Sequence, residues 1–299
     1  MFELAPLSMT SAETKSAPQW FRDAVSHPRS AHTLISADGT PLHLAGWNEA
    51  QHTKPALLLV HGFLGNTHWW DFIAPWLTST HRVLALDLAG MGASGRRSIY
   101  TMEAFARHIL CAVEFLASDA PQGHATVVAH SFSGSRLLEA CAQAPHLIGH
   151  AIVLDSMCTL RGDAPHPHNR VGRPTPYPDR ESALARFRLV PDQPHLPWLK
   201  TYLGEQSVIE VPRGWTWQFD PALARGMPAK PLEDFAGRLN MRVDLVRGEF
   251  SSVLDAPRAA LIAALLPRCR GPIEIPQAHH HLMLDEPLAL VATLRSLLA

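Results

Sequence analysis

The sequence has little charge for its 299 residues. Only 18% of them are Asp, Glu, Lys or Arg, against roughly 25% in soluble domains. Lysine and arginine number 26 and aspartate and glutamate 27, so there is no excess of cations. Because phosphate and anionic-lipid binding need such an excess, this balance speaks against nucleic acid as a partner and against a polybasic membrane anchor. With 46% apolar residues, the chain can instead bury a large core.

Cysteine is scarce as well, and Cys111, Cys141, Cys158 and Cys269 include no CxxC pair. A zinc ribbon and a thioredoxin motif are therefore excluded, and reduced cysteines in a cytoplasmic protein are expected. The first twenty residues lack the basic and apolar segments of a signal peptide. No apolar run reaches the length of about 18 residues that a membrane-spanning helix needs. The sequence carries no signal for an oligomeric state.

Short apolar runs are what the sequence does contain, and they alternate with helical patterns. Residues flanking the Asp38-Gly39 turn predict a β-hairpin of strands 32–35 and 42–47. Continuous apolar runs predict buried strands at 56–60, 83–86, 125–129, 151–154, 243–246 and 273–275. Helical patterns occupy 102–116, 133–144, 256–266 and 288–298. This alternation predicts an α/β fold, with a mostly parallel β-sheet flanked by helices.

The alternation stops between residues 158 and 239, a stretch rich in proline with a helical pattern at 181–188. We interpret it as a helical cap or lid inserted into a core formed by 1–157 and 240–299. Insertions at the carboxyl ends of strands commonly cover binding sites.

One serine stands at the corner between a predicted strand and the helix that follows it. The segment reads Ala129-His130-Ser131-Phe132-Ser133. A turn this tight needs small residues two positions before and after the serine, because these side chains face neighbouring backbone. Ser131 then lies beside the amide groups of a helix N-terminus. Such a serine either acts as a nucleophile or simply caps the helix.

Two further segments fit the first interpretation. His61-Gly62-Phe63 follows the first buried strand, and a histidine triplet, 279–281, follows the last. With these motifs the chain resembles the α/β-hydrolase superfamily, specifically a serine esterase or lipase with a cap insertion. The resemblance implies that Ser131 is the nucleophile and that the base is His280, seven residues before Pro287. His279 and His281 remain alternatives for the base, and His61 is expected to be structural.

The resemblance also implies an oxyanion hole made by the backbone N–H groups of Phe63 and Phe132. The acid of the triad is less plain, because Ser252 stands where the family usually has aspartate. Some family members carry the acid one strand earlier, where this chain has Asp155. We expect Asp155 to be the acid, with Glu249 and Asp255 as alternatives. Asp155 could otherwise cap the start of the insertion.

The expected substrate is a small, uncharged and largely apolar ester. The candidate contacts are mostly apolar and include no arginine clamp: Leu64, Trp69, Trp70, Met157, Trp215 and Trp217. Trp215 and Trp217 could equally pack the cap onto the sheet. The predicted reaction is serine-dependent hydrolysis through an acyl-enzyme.

The same residues could serve a thioesterase, a lactonase, a C–C bond hydrolase, a cofactor-free oxygenase or perhydrolase, or a slow receptor on the same scaffold. No cofactor is expected. No metal is expected either, because adjacent histidines rarely converge on one ion.

Overall fold

The computed structural model describes residues 2–3, 11–164, 175–224 and 227–299, with the backbone alone for 2–3 and 224. The strands are β1 (Phe2–Glu3), β2 (Ser30–Ile35), β3 (Pro41–Trp47), β4 (Ala56–Val60), β5 (Arg82–Leu86), β6 (Ala125–His130), β7 (Ile148–Leu154), β8 (Val208–Val211), β9 (Gly214–Trp217), β10 (Arg242–Gly248) and β11 (Cys269–Ile275). The α-helices are α1 (Ala12–Lys15), α2 (Gln19–Val25), α3 (Met102–Ala117), α4 (Phe132–Gln143), α5 (Arg180–Leu184), α6 (Pro197–Ser207), α7 (Ala256–Leu265), α8 (Leu282–Asp285) and α9 (Pro287–Leu297). Short 3-10 helices lie at Thr67–Trp70, Ala74–Leu77, Pro221–Ala224, Leu232–Asp234 and Ala236–Arg238.

A nine-stranded sheet forms the centre, in the order β1-β2-β3-β5-β4-β6-β7-β10-β11. The strands from β5 to β11 in this order are parallel, whereas β1, β2 and β3 pair antiparallel at one edge. The predicted α/β fold with a mostly parallel sheet is confirmed, and so is the hairpin, which is β2 and β3. β8 and β9 form a separate antiparallel pair.

Successive side chains along a strand point to opposite faces of the sheet, and they pack into two hydrophobic cores, one on each face. Leu58 and Val60 of β4 pack with α3, α4 and α7, whereas Leu57 and Leu59 pack with α2, α6, α8 and α9. All four are fully buried, and each contributes roughly 1.5–3 kcal/mol to stability by leaving water. A strand buried on both faces has to be apolar throughout, which is why the continuous runs predicted these strands. None of the helices in the described part of the chain combines the length and the hydropathy of a membrane span.

The segment from 158 to 239 keeps close contact with the rest of the chain. Its helix α6 belongs to the second core, and the Tyr202 hydroxyl donates a hydrogen bond of 2.7 Å to Asp71. The Gly92 N–H donates to the Gln218 carbonyl at 2.9 Å. The predicted helix at 181–188 is shorter, ending at Leu184. Residues 165–174 and 225–226 lie outside the described residues, and the assignment of 158–239 as a cap stays a prediction.

The parallel strands end at the same edge of the sheet, where ligands bind in folds of this class. The residues that follow their carboxyl ends there are His61 after β4, Ser131 after β6, Asp155 after β7, and the loop with His280 after β11. The topology thus brings together the polar residues that the sequence singled out.

Candidate active site

Ser131 occupies the sharp corner between β6 and α4. Its backbone has φ +53° and ψ −122°, a conformation that costs of order 1–3 kcal/mol and persists only where neighbouring structure holds it. The Ser131 N–H donates to the Leu154 carbonyl at 2.8 Å, which continues the β6–β7 ladder into the corner. A Cβ added at Gly134 would lie 2.5 Å from the Ser156 Cβ. Only glycine therefore fits at this position of α4.

A chain of hydrogen bonds connects Ser131, His280 and Asp155. The Ser131 Oγ lies 2.9 Å from the His280 Nε2, and the His280 Nδ1 lies 2.8 Å from the Asp155 Oδ1. His280 and Asp155 are both buried. Because an ionised carboxylate only accepts hydrogen bonds, the His280 Nδ1 carries the proton and its Nε2 is free to accept the serine hydroxyl.

The carboxylate of Asp155 is fixed by two further donors. The Ser251 hydroxyl donates to its Oδ1 at 2.6 Å, and the Gly248 N–H donates to its Oδ2 at 2.8 Å. Its own N–H donates to the Val246 carbonyl at 2.7 Å, and its φ is +45°. Asp155 therefore has one orientation, set by β10 and the turn after it.

The other candidate acids lie elsewhere. Glu249 accepts a hydrogen bond of 2.8 Å from the Gln277 N–H. Asp255 caps α7 by accepting from the Arg258 N–H. Ser252 is exposed. Of the candidates weighed from the sequence, the structure brings Asp155 to His280.

The two neighbours of His280 point to different partners. The half-buried His279 pairs with Asp285, with 2.9 Å between its Nδ1 and the Oδ2. His281 is buried, and its ring lies 5.3 Å from that of Trp69. Burial, followed by the proximity of His280, lowers the pKa of His281 to about 3. Neither is hydrogen-bonded to Ser131.

The loop after β4 lies directly against Ser131. A Cβ added at Gly62 would come within 3.2 Å of the Ser131 Cβ. The His61 Nδ1 donates to the Gly62 carbonyl at 2.7 Å, and its Nε2 accepts from the Leu88 N–H at 3.2 Å. Burial lowers the pKa of His61. The ring is thus engaged at both nitrogens in holding this loop.

Two backbone N–H groups close to the serine are free. Within the described part of the chain, neither the Phe63 nor the Phe132 N–H donates to an acceptor. Phe132 is the first residue of α4, where an N–H has no intrahelical partner. The two phenylalanine rings pack 5.3 Å apart, which joins the loop after β4 to the start of α4.

His130 has a role that sequence reasoning missed. It is buried, and its Nε2 donates to the backbone carbonyl of His280 at 2.9 Å, which anchors the loop that carries His280. Its pKa is lowered well below the usual value by burial and then by His280 and His281. The sequence signal was its place between the predicted strand at 125–129 and Ser131.

The expected substrate contacts differ in exposure. Leu64 is half-buried with φ +59°, Trp69 is buried with 9% of its surface exposed, and Met157 is exposed. Trp70 packs in the second core with no exposed surface, so we correct the expectation that it contacts substrate.

The two tryptophans of β9 were expected either to contact substrate or to pack the cap. Both are half-buried. The Trp217 ring lies 5.7 Å from Phe187 and 6.4 Å from Tyr177. Trp215 exchanges backbone hydrogen bonds of 2.7 and 2.8 Å with Tyr177. These contacts favour packing within the segment from 158 to 239.

Comparison with known proteins gives a family and a fold. Residues 57–294 match the sequence model of the Alpha/beta hydrolase family. The uncharacterized hydrolase YugF of Bacillus subtilis (strain 168) is 31% identical over 126 residues, 42% of this chain. The chain spans 44% of the length of YugF.

Two solved structures share the fold over nearly their full length. Esterase Rv0045c from Mycobacterium tuberculosis has a TM-score of 0.70 at 20% identity, covering 98% of this chain and 99% of that one. E-2-(acetamidomethylene)succinate hydrolase has a TM-score of 0.72 at 20% identity, covering 90% of this chain and 98% of that one. At such identity the likeness concerns the fold alone.

Proposed function

Because the chain belongs to the alpha/beta hydrolase family, we propose that it hydrolyses carboxylic esters of uncharged, largely apolar substrates. In this proposal Ser131 is the nucleophile, His280 the general base and Asp155 the acid that orients it. The observation that carries it is the hydrogen-bond chain from Ser131 through His280 to Asp155, with links of 2.9 and 2.8 Å.

Acylation follows from the protonation states along this chain. The Ser131 Oγ attacks the ester carbonyl carbon while the His280 Nε2 takes the hydroxyl proton. The resulting imidazolium is stabilised by Asp155 through the His280 Nδ1–H. When the tetrahedral intermediate collapses, the bond to the leaving alcohol breaks and the alcohol leaves with the proton from Nε2. The acyl group stays on Ser131.

Deacylation repeats these steps with water. The His280 Nε2 removes a proton from a water molecule that attacks the acyl carbonyl. Collapse of the second tetrahedral intermediate breaks the bond to Ser131, which regains its proton from His280. The carboxylic acid is released and the enzyme returns to its starting protonation state.

The negative charge that forms on the carbonyl oxygen in each tetrahedral intermediate is stabilised by two hydrogen-bond donors that are already in place. The Phe63 and Phe132 N–H groups fit this role, since both are free and their residues flank the serine. Each such donor contributes about 10²–10³ in rate.

Apolar side chains around Ser131 favour an uncharged acyl group. Phe63 and Phe132 pack together, and Phe105 lies 5.2 Å from Phe132. Within the described ranges, the cation that lies against these rings is Arg136, whose guanidinium is 5.4 Å from the centre of the Phe132 ring and whose Nη1 donates to the Met102 sulfur. A half-ester of a dicarboxylic acid tests whether this buried guanidinium attracts an anionic substrate.

The test is hydrolysis of nitrophenyl esters of graded chain length, beside a lactone, a thioester and the half-ester. We expect the uncharged esters to be turned over fastest. Ser131→Ala abolishes this turnover and also abolishes covalent labelling by a fluorophosphonate, whereas Ser252→Ala, which alters an exposed serine, keeps both. Folded wild-type protein that does not label would contradict the proposal and favour a binding role.

A further inference from the structure

Three buried histidines converge beside Ser131, and we name them the histidine cluster: His130, His280 and His281. The ring centroids lie 5.0 Å apart for His130 and His280, 4.7 Å for His280 and His281, and 5.7 Å for His130 and His281. One ring nitrogen from each lies within 4.8 Å of the others. No metal was expected from the sequence, because adjacent histidines such as His280 and His281 rarely converge on one ion. With His130 beside them, the three side chains are close enough to share one ligand.

Several nitrogens of the histidine cluster have no hydrogen-bond partner. In the described part of the chain, the Nδ1 of His130 and both ring nitrogens of His281 are buried and unpaired. The carbonyls of Val190 and Pro191 lie near the His281 ring without normal hydrogen-bond geometry. A buried polar atom left unpaired costs roughly 1–3 kcal/mol, so a ligand for these nitrogens would be stabilising.

The remaining nitrogens already have the outer partners that metal-binding histidines use. A histidine that binds a metal through one nitrogen usually donates its other N–H to a carboxylate or a carbonyl. The His280 Nδ1 is paired with Asp155, and the His130 Nε2 donates to the His280 carbonyl. This pairing leaves the His280 Nε2 and the His130 Nδ1 as the lone pairs available to a ligand.

We propose that the histidine cluster binds a divalent transition-metal ion such as Zn²⁺, and that the bound ion blocks hydrolysis. Imidazole nitrogens suit Zn²⁺, Cu²⁺ and Ni²⁺. With Zn–N bonds of about 2.0–2.1 Å, the nitrogens of a tetrahedral site lie about 3.3 Å apart. The rings therefore have to close in by small side-chain rotations.

Inhibition follows from the atom that the ion occupies. The lone pair of the His280 Nε2 is the acceptor of the Ser131 proton in the proposed reaction. When that lone pair binds the metal, the hydroxyl keeps its proton and Ser131 remains a poor nucleophile. The inhibition rests on the proposed function, whereas the binding does not.

Binding is measured first, on the full chain freed of metal with EDTA. Equilibrium dialysis gives the Zn²⁺ stoichiometry, and the visible absorption of added Co²⁺ reports a tetrahedral nitrogen site. We expect one ion per chain, with affinity lowered at least about tenfold in His281→Asn and in His130→Asn. His279→Asn, which alters the neighbour paired with Asp285, is the matched control and keeps wild-type affinity. His281→Gln replaces His281→Asn if the latter does not fold.

Inhibition is measured next, by ester hydrolysis normalised to the zinc-free rate of each variant. Zn²⁺ should inhibit the wild type, EDTA should reverse this, and the inhibition constant should rise in His281→Asn by the same factor as the dissociation constant. No binding by the wild type, or full affinity in both cluster variants, overturns the site. Binding without inhibition of an active enzyme overturns the regulatory part. Normal binding by a protein inactive on every ester contradicts the proposed function alone.

Discussion

The replacement Asp155→Asn tests the proposed acid with almost no change of shape. The Gly248 N–H requires an acceptor at the position of Oδ2, so the amide oxygen takes that position. The NH₂ group then replaces Oδ1, which is 2.8 Å from the His280 Nδ1. Because the NH₂ donates, the His280 Nδ1 has to accept and the ring proton moves to Nε2. That tautomer cannot take the Ser131 proton.

The magnitude follows from the loss of the base. A wrong tautomer in an otherwise intact triad lowers kcat by about 10⁴, which corresponds to about 5 kcal/mol of transition-state stabilisation. KM should change little, because Asp155 is fully buried and does not touch substrate. Steady-state hydrolysis of a nitrophenyl ester gives both constants, and thermal unfolding checks that the variant folds.

The matched controls are Glu249→Gln and Asp255→Asn. Their carboxylates accept from the Gln277 and Arg258 N–H groups and make no contact with His280, so both variants should keep wild-type kcat. Near-normal turnover in Asp155→Asn, together with a loss of about 10⁴ in Glu249→Gln, would refute the assignment.

Three further results are expected. Ser251→Ala removes the 2.6 Å hydrogen bond to Asp155. Because a hydrogen bond to a charged group contributes about 1.5–3 kcal/mol, kcat should fall about 10- to 100-fold at constant KM in steady-state assays. An unchanged kcat would contradict this role of Ser251. Gly62→Ala places a Cβ 2.9 Å from the His130 Nδ1, so the loop has to shift with the Phe63 N–H, and kcat should fall about 10²–10³ in a variant that unfolds at a similar temperature. The pKa of His281 is about 3 in the folded chain and about 6.5 in the unfolded chain, so only the unfolded chain gains this proton as the pH falls from 7 to 5. The free energy of unfolding, measured with urea in the presence of EDTA, should therefore drop by about 2 kcal/mol over this range because of His281. The drop should be smaller in His281→Asn.

Much of the fold could be predicted because each buried strand is marked by its own residues. The run at 56–60 coincides with β4, and the pattern at 102–116 ends one residue before α3 does. By contrast α2 and α6 were not predicted. They contribute Phe21 and Tyr202, whose rings lie 5.3 Å apart in the second core. These helices depend on that tertiary contact more than on local periodicity.

The candidate site likewise contains residues that local sequence identifies and residues that only tertiary contacts identify. Ser131 and His280 stand in local motifs, which the sequence displays directly. The choice between Asp155 and its rivals depends on the turn after β10, where Ser251 faces inward and Ser252 faces solvent. The role of His130 depends on a contact with a residue 150 positions away. Geometry of this kind has no local signature.

The position of β11 has a consequence for engineering. Among the strands of the described residues it is an edge strand whose one neighbour is β10, and the loop after it supplies His280. A cut between α7 and β11 would divide the chain into a fragment that holds Ser131 and Asp155, at the ends of the adjacent strands β6 and β7, and a fragment that holds His280. If the proposed mechanism holds, neither fragment hydrolyses an ester by itself. Reassociation along β10 would restore all three residues, so the turnover of a split form would report how well the two fragments recognise each other.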